Sequence, residues 1–303
     1  MTPRFFRACL SRISTHEDVN FVLTNRIPRR RLTQLVGWFS KRRQPLLRDL
    51  SIGVWRLFAD VDLSDAAKDQ FESLHDCFIR ELKPGARPID PDPLVMVSPC
   101  DAIVGACGAI DGHQLIQAKG QGYTLDELLV DPALASRYRN GHYVTLRLTS
   151  SMYHRFHAPF DLTLEHVTYV AGDTWNTNPI ALARVERLFC KNERAVLRAR
   201  IGVGGSTDGA ESETALVTLV PVASILVASI RLHRLDVLLH LKHPGPHEIP
   251  CQARFSRGEE MGWFELGSTI LVFAPPGFTL ADGIAPGQVI RMGQPLLRLP
   301  GRA

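Results

Sequence analysis

The chain has 303 residues, of which 45% are hydrophobic and 22% are charged, a composition typical of one large globular domain or one domain with an appendage. Its six cysteines include no C-x-x-C pair and, together with its histidines, match no zinc-site pattern, so we expect neither a disulfide framework nor a metal site. No apolar run reaches the ~20 residues of a membrane-spanning helix, and we recognise no secretory signal.

Charge is distributed unevenly along the chain. Residues 1–58 contain twelve basic and three acidic residues, so this segment carries +9, whereas the whole chain carries +4 and the remainder −5. Within the segment, residues 32–39 and 47–58 place apolar side chains at helical spacing. The two apolar faces consist of Leu32, Leu35, Val36 and Phe39, and of Leu47, Leu50, Val54 and Phe58 with Trp55 at the edge.

Apolar helix faces flanked by arginines suit an anionic membrane interface. The alternative is a helical hairpin that packs on the core and leaves a solvated basic rim. Nucleic acid is not an expected partner, because the sequence contains no recognisable nucleic-acid-binding module.

The remaining elements follow in chain order. A helix is predicted from Ser64 to Leu82, with Ser64 as its N-cap, and the run Lys83–Pro88 ends it. Beyond Leu94, short apolar runs separated by Gly, Pro and Asp predict strands. These runs are Leu94–Val97, Ala102–Ala106, His142–Leu148, Leu162–Val170, Ala195–Val203, Leu216–Val220, Ile225–Leu232 and Thr269–Phe273, with helices at Leu125–Leu129 and near Ile180–Phe189. The predicted fold class is α+β, with a β-rich antiparallel core and an N-terminal amphipathic helical region.

A small group of residues could support chemistry. Ser268 follows Gly267 at the start of an apolar strand, where its hydroxyl could attack the preceding carbonyl. Serine needs a base, and His154 and His157 are candidates. Asp101 could orient a histidine, since a triad needs no fixed order in the sequence. Each feature alone is more typical of a turn or of a structural residue.

Several of these segments together resemble the phosphatidylserine decarboxylase family. Leu266-Gly267-Ser268-Thr269 is similar to its processing motif, Tyr153-His154-Arg155-x-His157-x-Pro159 to its histidine motif and Ser98-Pro99-x-Asp101 to its aspartate motif. Further similar segments are Lys119-Gly120-x-x-Tyr123-Thr124-Leu125, Gly172-Asp173 to Asn178, Leu188-Phe189-x-x-Asn192-Glu193-Arg194 and Glu259-Glu260-Met261-Gly262. The motifs occur in the family's order over nearly the whole chain. One departure is Ala102, where the family commonly has glycine.

The resemblance implies a self-cleaving enzyme with a pyruvoyl cofactor. His157, oriented by Asp101, would accept the Ser268 proton, and Ser268 would attack Gly267. Cleavage would leave a large chain (residues 1–267) and a small chain (residues 268–303) that begins with the pyruvoyl group made from Ser268. That group would form a Schiff base with the substrate amine and act as an electron sink. His154 is the candidate proton donor to the resulting carbanion.

The resemblance also implies a substrate and a location. The substrate would be phosphatidylserine in an anionic membrane and the product phosphatidylethanolamine. Residues 1–63 would form the membrane-associating region and residues 64–303 the catalytic domain. The enzyme would be a heterodimer of its two chains, with further dimerisation open, bound peripherally to the cytoplasmic side of the cell membrane. Two rivals remain: a pyruvoyl decarboxylase for a soluble amino acid, and a noncatalytic membrane-associated β-rich binding domain. Lys119, Tyr123 and Asn178 lie in family-like segments, but the sequence assigns them no contacts.

Overall fold

A computed structural model describes residues 17–25, 28–118, 121–203, 213–225, 229–235, 237–240, 243, 247–265 and 268–301. Helices come first in the chain, and most of the strands follow. The helices are α1 (Glu17–Asn25), α2 (Arg29–Ser40), α3 (Pro45–Phe58), α4 (Leu74–Phe78), α5 (Leu125–Leu129), α6 (Pro132–Ser136), α7 (Pro179–Arg184) and α8 (Leu188–Lys191). Within these ranges, no helix is long and apolar enough to cross a membrane.

Helices α2 and α3 confirm the two predicted amphipathic segments. Pro45 occupies the first turn of α3, where its missing N–H costs nothing. One side of α3 packs inward through Trp55, whose ring lies 5.6 Å from that of Phe78. Most of the predicted apolar faces are exposed to solvent, while the side chain of Phe58 lies outside the described part. The exposed apolar side chains of the two helices are Leu35, Trp38, Phe39, Leu46, Leu47, Leu50, Val54 and Leu57.

The predicted helix from Ser64 to Leu82 is wrong. Only α4 is helical there, and its N-cap is Ser73, whose hydroxyl accepts a hydrogen bond from Asp76 N. The flanking chain instead closes on itself, because Ala66 and Leu82 form an isolated antiparallel bridge. The apolar residues Ala66, Phe71 and Cys77 thus form a small cluster beneath α3 without a continuous helix.

The strands form one large sheet and several small ones. Their bounds are β1 (Val95–Val97), β2 (Ala102–Ala109), β3 (Gln114–Ala118), β4 (Gln121–Thr124), β5 (His142–Leu148), β6 (Arg155–His157), β7 (Leu162–Val170), β8 (Arg194–Gly202), β9 (Thr214–Ala223), β10 (Ser229–Leu232), β11 (Val237–His240), β12 (Glu248–Phe255), β13 (Glu260–Phe264), β14 (Ser268–Ala274), β15 (Thr279–Leu280), β16 (Val289–Ile290) and β17 (Pro295–Arg298). The antiparallel eight-stranded sheet has the order β12-β7-β8-β9-β14-β5-β2-β16, and a four-stranded sheet has the order β11-β10-β13-β6. The predicted α+β class with an antiparallel core is confirmed.

Strand β14 lies in the middle of the large sheet, paired along its length with β5 on one side and β9 on the other. All seven of its residues are buried. Alternate side chains enter two different cores: Ile270 and Val272 join the cluster that contains Leu146, whereas Leu271 and Phe273 join the cluster on the other face. The strand that begins with Ser268 is therefore covered on both faces.

Two further predictions differ from the structure in their bounds. Within the predicted run Ile225–Leu232, the described strand is Ser229–Leu232, Ile225 is not in a strand, and residues 226–228 lie outside the described part. The predicted helix near Ile180–Phe189 is divided into α7 and α8, because Arg187 adopts a left-handed φ of 51° between them. The division at residue 63 stays a prediction, although Lys41 and Arg29 connect the helical region to the β-rich part by ion pairs with Glu265 and Asp173.

Candidate active site

Ser268 begins β14 opposite Leu148 of β5 and Ala223 of β9. Its side chain is fully buried, and its Oγ has no hydrogen-bond partner within the described part of the chain. Buried hydroxyls are almost always hydrogen-bonded. The Ser268 hydroxyl, by contrast, is not engaged by another described group.

The connection between β5 and β6, residues 149–154, links the two sheets beside Ser268. It begins after Leu148, which pairs with Ser268 at the start of β14. It ends at His154, whose carbonyl accepts from Phe264 N of β13 at 3.0 Å. The connection thus begins beside Ser268 and ends at His154. The predicted cleavage bond is not placed, because Leu266 and Gly267 lie outside the described residues.

His154 is fully buried, and its ring packs against the Phe78 ring at 4.0 Å. Its Nδ1 lies 2.9 Å from the Met152 carbonyl oxygen, which only accepts, so Nδ1 carries the proton and Nε2 the lone pair. Nε2 has no hydrogen-bond partner among the described residues. Burial lowers the pKa of His154 to about 3, with the nearby charge of Arg80 acting in the same direction. The ring is therefore a neutral imidazole whose Nε2 lone pair is buried and has no partner among the described residues.

This lowered pKa predicts a pH dependence of stability. As pH falls below about 6.5, His154 binds a proton in the unfolded chain, whereas in the folded chain it stays neutral down to about pH 3. The free energy of unfolding should therefore decrease by about 1.4 kcal/mol per pH unit from this residue alone. The test compares Ser268→Ala, which remains one chain, with the double variant Ser268→Ala/His154→Gln. In urea denaturation between pH 7.5 and 4.5, the free energy of unfolding should fall less steeply with decreasing pH for the double variant. Equal declines would refute the buried neutral imidazole.

His157 is also buried, and both of its ring nitrogens are occupied. Nδ1 lies 2.9 Å from the Gly258 carbonyl oxygen and must donate to it, so Nε2 accepts from the Tyr153 hydroxyl, also at 2.9 Å. Burial lowers the pKa of His157, partly offset by the Gly258 hydrogen bond and the charges of Glu260 and Asp101. His157 is therefore neutral near pH 7, the protonation state that a general base requires.

Asp101 is buried but does not hydrogen-bond to His157. Arg87 donates to both of its carboxylate oxygens, with the shortest distance, 2.6 Å, between Nη2 and Oδ2. Met292 N also donates to Oδ1 at 2.9 Å. Arg87 thus forms a bidentate pair with the Asp101 carboxylate, in place of a hydrogen bond from the imidazole of His157. The three predicted triad residues are thus not hydrogen-bonded to one another, and Asp101 acts on His157 only through its charge.

Comparison with known proteins agrees with the sequence motifs. The family model for phosphatidylserine decarboxylase matches residues 74–298, well over half of the chain. The chain belongs to the phosphatidylserine decarboxylase family. The chain is 33% identical over 277 residues to the phosphatidylserine decarboxylase proenzyme of Haemophilus influenzae (strain ATCC 51907), covering 88% of this chain and 92% of that protein. It is 32% identical over 285 residues to the proenzyme of Erwinia tasmaniensis, covering 92% and 94%.

Several motifs of this phosphatidylserine decarboxylase family member serve its fold. Arg194 is buried, and its guanidinium donates only to backbone carbonyls, including those of Leu128 and Cys190. Asn178 caps α7 by accepting from Ala181 N. Gly262 allows β13 to approach β10, since a Cβ there would lie 1.9 Å from the Arg231 carbonyl oxygen. Tyr123 is buried with its hydroxyl unpartnered among the described residues, and Lys119 lies outside them.

Sequence reasoning missed Arg87, Tyr153 and Glu265. Arg87 lies in the Pro-rich run Lys83–Pro88, whose sequence indicates only a helix end, and Tyr153 is part of the histidine motif without a role of its own. Glu265, three residues before Ser268, accepts from Lys41 Nζ at 3.1 Å and from Ser229 Oγ at 2.9 Å. Glu265 thereby ties the end of α2 to the segment that leads into the serine. The sequence could have indicated Glu265, because it is an acidic residue in the run Trp263-Phe264-Glu265, which lies between two of the family-like motifs.

No group of three His, Cys, Asp or Glu side chains that could hold a metal ion occurs in the part of the chain that the structure describes. All five cysteines in the described part of the chain are free thiols.

Proposed function

We propose that this protein is a phosphatidylserine decarboxylase that makes its pyruvoyl group from Ser268. One observation carries the proposal. The serine that matches the family's processing motif begins a buried central strand, and its hydroxyl has no hydrogen-bond partner among the described residues. Membership of the family over residues 74–298 supplies the reaction class and the substrate.

In the first reaction, Ser268 Oγ attacks the Gly267 carbonyl while His157 Nε2 accepts the hydroxyl proton. Tyr153, which now donates to Nε2, must turn aside for this step. The peptide bond becomes an ester, and elimination then leaves the Gly267 carboxylate and an N-terminal dehydroalanine. One water hydrolyses the dehydroalanine to the pyruvoyl group and releases ammonia. Removal of the proton by a positioned base typically raises the rate of such a step by about 10²- to 10⁴-fold.

Asp101 assists this step through its charge. Because Arg87 and Met292 N hold the carboxylate in place, Asp101 stabilises the imidazolium of His157 electrostatically, without orienting the ring. The orientation comes from the Gly258 carbonyl, which fixes the Nδ1–H tautomer, so the Nε2 lone pair can act as the base once Tyr153 turns aside.

In the second reaction, the pyruvoyl carbonyl supplies the electron sink for loss of CO2 from the substrate's amino acid head group. The contribution of His154 follows from its tautomer. Nδ1–H is bound to the Met152 carbonyl, so Nε2, which has no partner among the described residues, would carry a proton taken from water and pass it to the carbon that has lost CO2. Because burial lowers the pKa of His154 to about 3, the protonated ring is a strong acid and releases that proton readily.

The two chains would remain together after cleavage. Residues 268–303 would include β14, which pairs with β5 and β9 of the large chain along its length. Seven buried residues in a central strand bury enough apolar surface to hold a heterodimer without a covalent bond. Further dimerisation of this heterodimer remains open.

The N-terminal helices support a lipid substrate. Their exposed apolar side chains include Leu46, 85% exposed, and Trp38, 58% exposed, on a segment with a net charge of +9. Such a surface suits peripheral binding to an anionic membrane, where each arginine near the surface adds roughly 1 kcal/mol. We place the enzyme on the cytoplasmic face of the cell membrane on this basis.

Vesicle cosedimentation tests the lipid substrate against a soluble amino acid. The protein should bind vesicles rich in phosphatidylserine at low salt and bind them more weakly at high salt. The double variant Leu46→Glu/Leu50→Glu should bind at least about tenfold more weakly, since each leucine buried in the interface contributes about 1.5–3 kcal/mol. Leu94→Glu is the matched control, because Leu94 is also exposed but lies outside the helices. Failure of the unaltered protein to bind vesicles or to release CO2 from phosphatidylserine would favour one of the two alternatives, a decarboxylase for a soluble amino acid or a noncatalytic binding domain.

A further inference from the structure

A buried arginine lies beside His154 without an anionic partner. Arg80 is 4% exposed, and its Nη2 donates to the Ser151 carbonyl oxygen at 3.1 Å. Its Nε and Nη1 have no hydrogen-bond partner in the described ranges, and no described carboxylate lies within ion-pair distance of it. Burial lowers the pKa of Arg80, as expected for a cation removed from water.

The position of Arg80 is fixed by the chain around it. The segment 78–80 contacts the loop between β5 and β6 at three successive points. The Phe78 ring packs on His154, the Ile79 carbonyl accepts from Arg155 Nε at 2.8 Å, and Arg80 donates to Ser151. This loop begins at Leu148, directly opposite Ser268. Arg80 therefore lies against the connection that begins beside Ser268 and ends at His154.

An unpaired guanidinium at this depth is costly. Removing an ion from water costs several kcal/mol unless an opposite charge and hydrogen bonds compensate. Asp101 is close enough to act on Arg80 through its charge, but Arg87 and Met292 N already occupy its oxygens. Nε and Nη1 point to different edges of the guanidinium, so a phosphate or carboxylate would bind bidentately to one of them together with the second N–H of Nη2.

We propose that Arg80 binds the phosphodiester of the substrate's head group, an inference that rests on the proposed function. The substrate has two anionic groups, and the chemistry decides between them. The carboxylate leaves as neutral CO2, so a cation bound to it would stabilise the ground state more than the transition state and slow the reaction. The phosphodiester keeps its charge throughout. A cation bound to it improves substrate binding without opposing the reaction.

The proposal predicts an effect on KM. Arg80→Gln should raise KM for phosphatidylserine in mixed micelles by about 10- to 100-fold, with kcat within about fivefold, because the interaction is equal in ground and transition states. Arg80→Lys should retain part of the affinity. Arg147→Gln is the matched control, since Arg147 pairs with Thr269 and so projects from the other face of the sheet from Ser268. The Arg147→Gln variant should have the same KM for phosphatidylserine as the unaltered enzyme.

A soluble probe separates the two anions. Glycerophosphoserine should inhibit the unaltered holoenzyme and lose at least about tenfold in affinity for Arg80→Gln, whereas free serine should inhibit both equally. If Arg80→Gln weakened inhibition by free serine as much as inhibition by glycerophosphoserine, Arg80 would bind the carboxylate, and the proposal would be overturned. Unchanged KM would overturn it as well. So would failure of both Arg80 variants to self-cleave under conditions in which the unaltered chain cleaves, because Arg80 would then serve the fold. If the unaltered chain itself neither cleaves nor releases CO2, the proposed function fails instead.

Discussion

Ser268→Ala should yield a single uncleaved chain of 303 residues that releases no CO2 from phosphatidylserine. Without the hydroxyl there is no nucleophile for Gly267, so no ester forms and no pyruvoyl group arises. The effect should be complete, because the same atom is required for cleavage and is the source of the cofactor. Denaturing electrophoresis of the purified variant and a CO2-release assay measure both consequences.

The neighbouring residue offers a matched control for this variant. Thr269 is fully buried, and its hydroxyl is unpartnered among the described residues like that of Ser268, but it points to the opposite face of β14. Thr269→Val removes that hydroxyl while keeping the side-chain shape, and it should cleave at close to the unaltered rate. Cleavage of Ser268→Ala at the same bond, or loss of cleavage in Thr269→Val alone, would contradict the assignment of the nucleophile.

His157→Ala should slow self-cleavage by about 10²- to 10⁴-fold, the contribution expected of a positioned general base. The neutral His157 ring, with Nδ1–H bound to Gly258, is the state that can accept the serine proton. The time course of chain cleavage after denaturation and refolding measures this rate. A cleavage rate equal to that of the unaltered chain would remove His157 from the first reaction.

The two histidines should have opposite phenotypes. His154→Gln should cleave within a few-fold of the unaltered rate but fail to release CO2, because only the second reaction uses its Nε2. Normal decarboxylation by His154→Gln would refute this division of roles. The structure gives the physical basis for the difference, since His154 Nε2 has no partner in the described part of the chain whereas His157 Nε2 accepts from Tyr153.

The sequence predicted the strands well where burial and periodicity agree. His142–Leu148 and Leu162–Val170 have the predicted bounds, because long β-branched runs between Gly, Pro and Asp leave few alternatives. The predicted helix from Ser64 failed because its apolar residues pack as a small cluster beneath α3. Tertiary packing of this kind overrides local helical periodicity.

The motifs indicated the candidate site residues, but not their hydrogen-bond partners. These candidates are Asp101, His154, His157 and Ser268, and the structure places His154 at the end of the connection that begins beside Ser268. The partner of Asp101 could not be inferred, since Arg87 lies 14 residues away in an irregular segment with no periodicity. The histidine tautomers likewise depend on the Met152 and Gly258 carbonyls, which any residue type would supply.

The most direct test of the central claim is intact-mass analysis of the purified protein. Two chains should be found, residues 1–267 and residues 268–303, and the small chain should begin with a pyruvoyl group that blocks its amino terminus to amine reagents. A single chain of 303 residues, or a small chain that begins with an unmodified serine, would contradict the claim that Ser268 becomes the cofactor.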